Sequence, residues 1–136
     1  MSAPQPDGTA SAFVAAMGFT TAEVGGTKVT GSAELGPEHH TPWGVVHGGV
    51  YCAIVESAAS IGASTAVREH GQFSVGVNNS TDFVRSMTAG RIDVVAEPVQ
   101  QGKTLQLWLV TLTRAEDGKP VARGQVRLQN VPLPGS

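Results

Sequence analysis

Glu56 is the residue whose surroundings most strongly indicate chemistry. It is the single charged residue between Gly48 and Val67, a segment of small residues and a few large aliphatic ones. A carboxylate in such a segment is costly unless it has a partner. Two interpretations stay open at this point. Glu56 is either a structural acid, paired with an arginine or lying at a subunit interface, or a general base or nucleophile held in a dry cleft.

The residues that lead into this segment add a second chemical feature. His47, Gly48 and Gly49 bring the chain to the start of a predicted helix. The first N–H groups of a helix have no internal partner and carry the positive end of the helix dipole, so they polarise a carbonyl oxygen placed there. Glu56 lies about 12 Å further along the axis. One helix cannot aim both groups at one carbon, whereas two antiparallel helices can, so the spacing predicts catalysis and dimerisation together.

Other polar residues near Glu56 carry weaker indications. Ser60 lies four residues after Glu56 on the same helix face, where its hydroxyl would bind the carboxylate or a water, or bond back to the carbonyl of Glu56. Cys52 is expected to be a small core residue. The histidines at positions 39, 40 and 47 lack the spacing of a ligand set, so no metal site is predicted.

Composition sets the scale of the protein and its surroundings. The chain has 136 residues and a formal net charge of -2, which suits one domain and gives no basic excess for nucleic acid. A single cysteine excludes an internal disulfide. We expect a flexible tail over 1–10, one domain over 11–130 and a second flexible tail over 131–136. Without a signal peptide, we expect a cytoplasmic protein.

The elements that must position Glu56 follow from hydrophobic periodicity. The spacing predicts a long helix from about Gly48 to Glu69, buried on nearly all sides, with Glu56 and several serines arguing against a membrane span. After it the period changes to two, as in Phe73, Val75 and Val77, which alternate with small and polar residues. Further strands are predicted around 19–24, 28–35, 91–97, 104–113 and 122–129. The expected fold is α+β, a curved antiparallel sheet wrapped around one long central helix, with a second subunit covering the remainder.

Three sequence segments carry a resemblance to a known family. His-Gly-Gly-Val-Tyr-Cys-Ala-Ile-Val-Glu over 47–56, Asn-Asn-Ser-Thr-Asp-Phe-Val-Arg over 78–85 and Gln-Gly-Lys-Thr over 101–104 resemble the hotdog-fold acyl-CoA thioesterases. The most similar subgroup is the PaaI-type and 4-hydroxybenzoyl-CoA thioesterases. The resemblance implies hydrolysis of an acyl-CoA with an aromatic or a short to medium acyl chain. It also implies a homodimer, commonly paired into tetramers, with sites at the dimer interface and no cofactor besides the coenzyme A of the substrate.

The resemblance assigns roles to individual residues. Glu56 matches the catalytic acid, and Gly48 the glycine whose N–H binds the thioester oxygen. Ser60 falls where some relatives orient water or the acid, and His47 matches a histidine near the site. Many relatives carry Asn or Gln at the position of Thr41, so Thr41, or the adjacent His40, would have to substitute for that side chain. Contacts to the substrate and coenzyme A are expected from Gly49, Asn79, Arg85, Gly102, Lys103 and Thr104.

Alternatives remain for the cations and for the activity. Arg85 and Lys103 are candidates for the phosphates of coenzyme A, or else solvated surface cations. A hydratase of enoyl thioesters and a non-catalytic acyl-CoA-binding module are the competing functions.

Overall fold

The computed structural model describes residues 11–135. Two helices and six strands follow one another along the chain: α1 (Ala12–Met17), β1 (Thr20–Val24), β2 (Val29–Leu35), α2 (Gly48–Val67), β3 (Gln72–Phe83), β4 (Gly90–Gln101), β5 (Leu105–Arg114) and β6 (Pro120–Pro132). Single 3-10 turns lie at Pro37–His39 and Arg68–His70. Gly71, with a φ of 71°, ends the second turn in the left-handed region that favours glycine.

The strands form one antiparallel sheet in the order β1-β2-β4-β5-β6-β3. The connection from β2 to β3 contains α2, which carries the chain from one side of the sheet to the opposite edge. Strand β3 pairs with β6 on one side only, so its other edge is open in a single protomer. This arrangement confirms the predicted hotdog fold.

The helix α2 packs on the inner face of the sheet. Its buried residues include Tyr51, Ile54, Val55, Ala58 and Ala59, and the ring of Trp108 on β5 occupies the space beside Gly62. A Cβ at position 62 would overlap that ring, which explains a glycine in the middle of the helix. By length and composition alone, Gly48–His70 could cross a membrane. Its contacts with the sheet are those of a core helix.

The structure adds one finding about β3 and corrects one expectation about β6. In β3 the small and polar residues, not the apolar ones, face α2: Ser74 is buried, whereas Val77 is 52% exposed. A bulge between Gly76 and Asn78 then directs Asn79 towards the helix. The 122–129 strand also continues to Pro132, into the segment predicted as a C-terminal tail. Proline is tolerated there because it lies at the end of the ladder. The predicted 1–10 tail lies outside the described residues.

Candidate active site

Glu56 is half-buried and faces the edge strand β3. Its Oε1 accepts a hydrogen bond from Nδ2 of Asn79 at 3.2 Å, and the same Nδ2 donates to the carbonyl oxygen of Cys52 at 3.1 Å. The hydroxyl of Thr81 donates to Oδ1 of Asn79 at 2.6 Å, which fixes the direction of the amide. Asn79 was predicted to contact the substrate, and in this protomer its amide holds the carboxylate instead.

The backbone of β3 lies directly beneath this carboxylate. A Cβ built at Gly76 would overlap Oε2 of Glu56, so the acid occupies space that glycine leaves open. Gly76 is exposed, which leaves the acid accessible from the strand edge. Within residues 11–135, no lysine or arginine pairs with Glu56. This finding argues against the interpretation of Glu56 as half of an ion pair within one protomer.

The start of α2 presents one free donor. His47 is the N-cap, and its Nδ1 accepts a hydrogen bond from the N–H of Gly49 at 2.8 Å. The N–H of Gly49, predicted to contact substrate, is therefore already used, and His47 has a structural role. The N–H of Gly48 has no acceptor within residues 11–135. The ring of Phe83, 55% exposed, packs against Gly48.

The free donor and the acid are separated along the same helix. Helix α2 runs antiparallel to β3, with Gly48 beside Phe83 and Glu56 beside Gly76. Eight residues correspond to about 12 Å along a helix axis. Gly48 and Glu56 of one protomer therefore cannot act on the same atom.

The other predicted residues near the start of α2 form hydrogen bonds that hold the loop before the helix, or have no predicted bond to Glu56. The hydroxyl of Thr41 accepts from the N–H of Trp43 at 3.2 Å, and His40 donates from Nε2 to the carbonyl of Thr88 at 2.6 Å. Ser60 is half-buried and forms no back-bond to Glu56; such a bond is formed instead by Thr65, to Ile61. Neither Thr41 nor His40 contacts Glu56 of its own protomer.

Histidines near the helix start have separate partners. His39 is buried, accepts the N–H of Gly36 at Nδ1 and donates from Nε2 to the carbonyl of Ala16. Because Nδ1 accepts, we treat the 3.5 Å approach of Glu38 to this nitrogen as a contact and not as an ion pair. In the described part of the chain, no three His, Cys, Asp or Glu side chains form a group able to hold a metal ion.

Two predicted cations lie at opposite ends of the sheet. Arg85 follows β3 and donates to the carbonyl of Pro120 at 2.8 Å. Lys103 is exposed in the Gly102–Thr104 turn between β4 and β5, near the start of β3. Strand β3 spans about 35 Å between these ends, at about 3.3 Å per residue. One protomer therefore does not bring both cations to a single nucleotide.

An apolar groove of about 440 Å³ lies between α1 and the first turns of α2. Its lining includes Phe13, Met17, Gly49, Val50 and Ala53.

Burial raises the pKa of Tyr51, which lies beneath this end of α2 and stays neutral at physiological pH.

Two residues that matter to these sites were not predicted. Gly76 interrupts a strand pattern, and an isolated glycine of this kind is a signal of close approach. Asn130 continues the buried alternation of β6, in phase with Val126 and Leu128, so a polar residue at a core position was the available signal.

Comparison with known proteins agrees with this geometry. A model of the thioesterase superfamily matches residues 44–121. The chain is 45% identical over 130 residues to the Mycobacterium tuberculosis protein named "Putative esterase Rv1847", covering 94% of this chain and 92% of that protein. It is 36% identical over 102 residues to Arabidopsis thaliana 1,4-dihydroxy-2-naphthoyl-CoA thioesterase 2, covering 74% and 63%.

Solved structures give the same result. The structure of the Mycobacterium tuberculosis relative superposes with a TM-score of 0.85, covering 88% of this chain and 96% of that one at 45% identity. The structure of AziG from S. sahachiroi superposes with a TM-score of 0.85, covering 90% and 98% at 38% identity. The chain belongs to the thioesterase superfamily and is a thioester hydrolase with the hotdog fold.

Proposed function

We propose that this protein hydrolyses an acyl-CoA to the free acid and coenzyme A, at two equivalent sites formed across a homodimer. Each site combines Glu56 of one subunit with the N–H of Gly48 of the partner subunit. The observation that carries the proposal is the presence, on one helix, of an acid without a cationic partner and a free N–H that are too far apart to act together.

The protomer itself indicates where the twofold axis would pass. The midpoint between positions 48 and 56 on α2 is Cys52, and the midpoint between positions 76 and 83 on β3 is Ser80 once the bulge is counted as one position. The carbonyl of Cys52 accepts a hydrogen bond from the side chain of Asn79, the neighbour of Ser80, so the two midpoints lie close together. An axis at this point would pair the open β3 edges antiparallel and place each Glu56 beside the partner's Gly48.

The chemistry follows from these two groups. The partner's Gly48 donates its N–H to the thioester oxygen and stabilises the negative charge that develops there. Glu56 acts by one of two routes with the same products. As a base it takes a proton from water, whose oxygen bonds to the carbonyl carbon; the C–S bond then breaks and the thiolate of coenzyme A takes up the proton. As a nucleophile its oxygen bonds to the carbonyl carbon and the C–S bond breaks, which releases the thiolate of coenzyme A and leaves an acyl anhydride. Water then hydrolyses the anhydride to the free acid and the Glu56 carboxylate, and a proton from that water passes to the thiolate.

The same axis would assemble a phosphate site from the two cations. Rotation of β3 about a twofold axis at Ser80, with the bulge counted as one position, places the partner's Arg85 at the level of Ser74. The Gly102–Thr104 turn is linked to Ser74 through Asn130. Lys103 and the partner's Arg85 would then bind phosphates of one coenzyme A.

The groove between α1 and α2 is the proposed place of the acyl group. It adjoins Gly48 and is lined mainly by apolar side chains. An aromatic acyl group is favoured because two relatives are named for 1,4-dihydroxy-2-naphthoyl-CoA. This choice agrees with the PaaI-type subgroup.

A second contact would join dimers in pairs. The outer face of β5 carries Leu105, Leu107 and Leu109, and the neighbouring strand β4 adds Val95 and Val99. Of these, Leu105, Val95 and Val99 are exposed in the protomer. We propose that this face forms the interface of a cytoplasmic tetramer.

The test is the release of free thiol from a panel of aromatic and aliphatic acyl-CoAs by Glu56→Gln. We expect kcat to fall at least about 100-fold, because glutamine neither accepts the proton nor attacks the carbonyl. Glu69→Gln, an exposed acid just after α2, is the matched control and should retain activity. Full turnover by Glu56→Gln would contradict the mechanism, and tight acyl-CoA binding by the wild type without hydrolysis would favour the binding module.

A further inference from the structure

One residue binds all three carbonyl groups of the Gly102–Thr104 turn. Nδ2 of Asn130 donates to the carbonyl of Gly102 at 3.2 Å and to that of Lys103 at 3.1 Å. The backbone N–H of Asn130 donates to the carbonyl of Thr104 at 2.8 Å. The conformation of the turn therefore depends on Asn130, which lies 26 residues beyond its end on a different strand.

Asn130 is itself held in one orientation. It is 8% exposed, and its Oδ1 accepts hydrogen bonds from Oγ of Ser74 at 3.0 Å and from Nε2 of Gln106 at 2.9 Å. Gln106 is 2% exposed and in turn accepts from the indole N–H of Trp108 at 2.8 Å. A buried polar network in which the side-chain groups are satisfied is rigid and fixes the amide direction.

The network leaves the outer side of the turn rich in donors. With the carbonyls bound on the inner side, the N–H groups of Lys103 and Thr104 have no acceptor within residues 11–135. Both residues are exposed, and the Lys103 ammonium group forms no ion pair with the described residues. Successive free N–H groups beside a cation are a site for an anion. A cavity of about 480 Å³ adjoins the turn and is lined in part by His70, Gln72 and Lys103.

We propose that Asn130 is a positioning residue for the phosphates of coenzyme A. It holds the Gly102–Thr104 turn so that the N–H groups of Lys103 and Thr104 face the ligand. Although Asn130 borders the same cavity, its own amide is fully hydrogen-bonded within the protein and is not a ligand to the phosphates. The inference rests on the proposed function, since it concerns the nucleotide part of the same substrate. We therefore expect Asn130 to affect substrate binding and not the rate of reaction at the carbonyl carbon.

The test compares two substrates that carry the same acyl group, one on coenzyme A and one on pantetheine, which has no phosphate. For Asn130→Ser we expect KM for the acyl-CoA to rise about tenfold with kcat within twofold of wild type, the cost of misplacing one set of charge-assisted hydrogen bonds. KM for the acyl-pantetheine should stay unchanged. Gln129→Ser, on the exposed face of the same strand, is the matched control. Equal changes for both substrates, or no change for either, would overturn the proposal.

A measurement on the unaltered protein covers the case in which Asn130→Ser does not fold. Adenosine 3′,5′-bisphosphate, titrated against the wild type, should shift the backbone amide NMR signals of Lys103 and Thr104, and adenosine should not. Unshifted signals would overturn the proposal. If the wild type hydrolyses no acyl-CoA yet these amides respond, the proposed function fails while the turn remains a phosphate site. If hydrolysis occurs and the amides do not respond, the proposed function stands without this inference.

Discussion

The Cα atom of Gly76 lies against the carboxylate of Glu56, so that a methyl group at position 76 would overlap Oε2 and lie 2.9 Å from Cδ. The acid is thus held from below by backbone and from the side by Asn79. The position of the acid therefore depends on the missing side chain of Gly76 as well as on the amide of Asn79.

Replacement of Gly76 by alanine should displace the acid while the fold survives. Residue 76 is on an exposed edge strand and its φ is not positive, so alanine is not strained there. We expect kcat to fall about 10- to 100-fold, since a displacement of about 1 Å is costly in a catalytic group. Thermal unfolding and steady-state kinetics measure the two effects. Ser80→Ala, on the same strand, is the control. Gly71→Ala is unsuitable because the φ of Gly71 is 71°, a backbone conformation that strains alanine. Unchanged kcat in Gly76→Ala would contradict the assigned position of the acid.

Removal of the Asn79 amide should lower turnover without weakening binding. Asn79→Leu has a similar volume but donates no hydrogen bond to Oε1 of Glu56 or to the carbonyl of Cys52. We expect kcat to fall about tenfold with KM within twofold, the usual cost of leaving buried polar groups unpaired. Asn78→Leu, exposed and adjacent, is the control. A selective rise in KM would instead support the original prediction that Asn79 contacts the substrate.

Filling the groove beside α1 should change acyl selectivity. In Ala53→Phe the ring would occupy part of the 440 Å³. We expect kcat/KM for aromatic acyl-CoAs to fall about 10- to 100-fold and that for acetyl-CoA to change less than about threefold. Thr65→Phe places the same ring at an exposed position near the other end of α2 and should leave the ratio of the two values unchanged. An equal loss for all acyl groups would place the acyl pocket elsewhere.

A cysteine near the proposed twofold axis should cross-link two chains. With the axis at Ser80, the two Ser80 residues would lie directly opposite each other with their Cα atoms about 5 Å apart, within the range of a disulfide. On a Cys52→Ser background, mild oxidation of Ser80→Cys should give a covalent dimer on a non-reducing gel. Asp82→Cys, with the two Cα atoms about 14 Å apart by the same register, should not. The reverse result would show that β3 pairs in another register.

The turn between β5 and β6 should contribute stability that depends on pH. Two hydrogen bonds from the Arg114 guanidinium, at 3.0 Å and 2.6 Å, lower the pKa of Asp117 from 3.8 to about 2. A lowered carboxyl pKa stabilises the fold above the unfolded-state value, and the contribution is lost as pH falls through the folded-state value. Asp117→Asn should therefore unfold about 1–2 °C below wild type at pH 7, and the difference should close between pH 4 and pH 2. Asp82→Asn is the control; a constant difference down to pH 2 would contradict the assignment.

The sequence predicted the structure best where a residue pattern had a single structural explanation. The uniform apolar character of α2 and the alternation in β6 predicted both elements and their burial, because few folds hide such a helix. It was least informative in β3. There the alternation was predicted without the face, and the helix-facing positions are Ser74 and Gly76, since the inner face of this strand borders the acid. A bulge moves Asn79 into phase with them, and no local signal marks that bulge.

The sequence analysis named the two groups of the proposed site but not the contacts that support them. Glu56 and Gly48 follow from charge and helix geometry. The roles of His47, which consumes the N–H of Gly49, and of Asn130, which binds a turn on another pair of strands, depend on contacts that sequence spacing does not encode.

The separation of Glu56 from Gly48 along α2 has a genetic consequence. By the proposed mechanism, a newly made chain carries two half-sites and no whole one, so it would hydrolyse substrate only after it has dimerised. A subunit defective at position 56 and another defective at the helix start would each be inert as homodimers. In a mixed dimer of the two variants, both defects would fall in one active site and the other site would be intact. Two inactive variants would therefore together recover up to half of the wild-type activity in each mixed dimer.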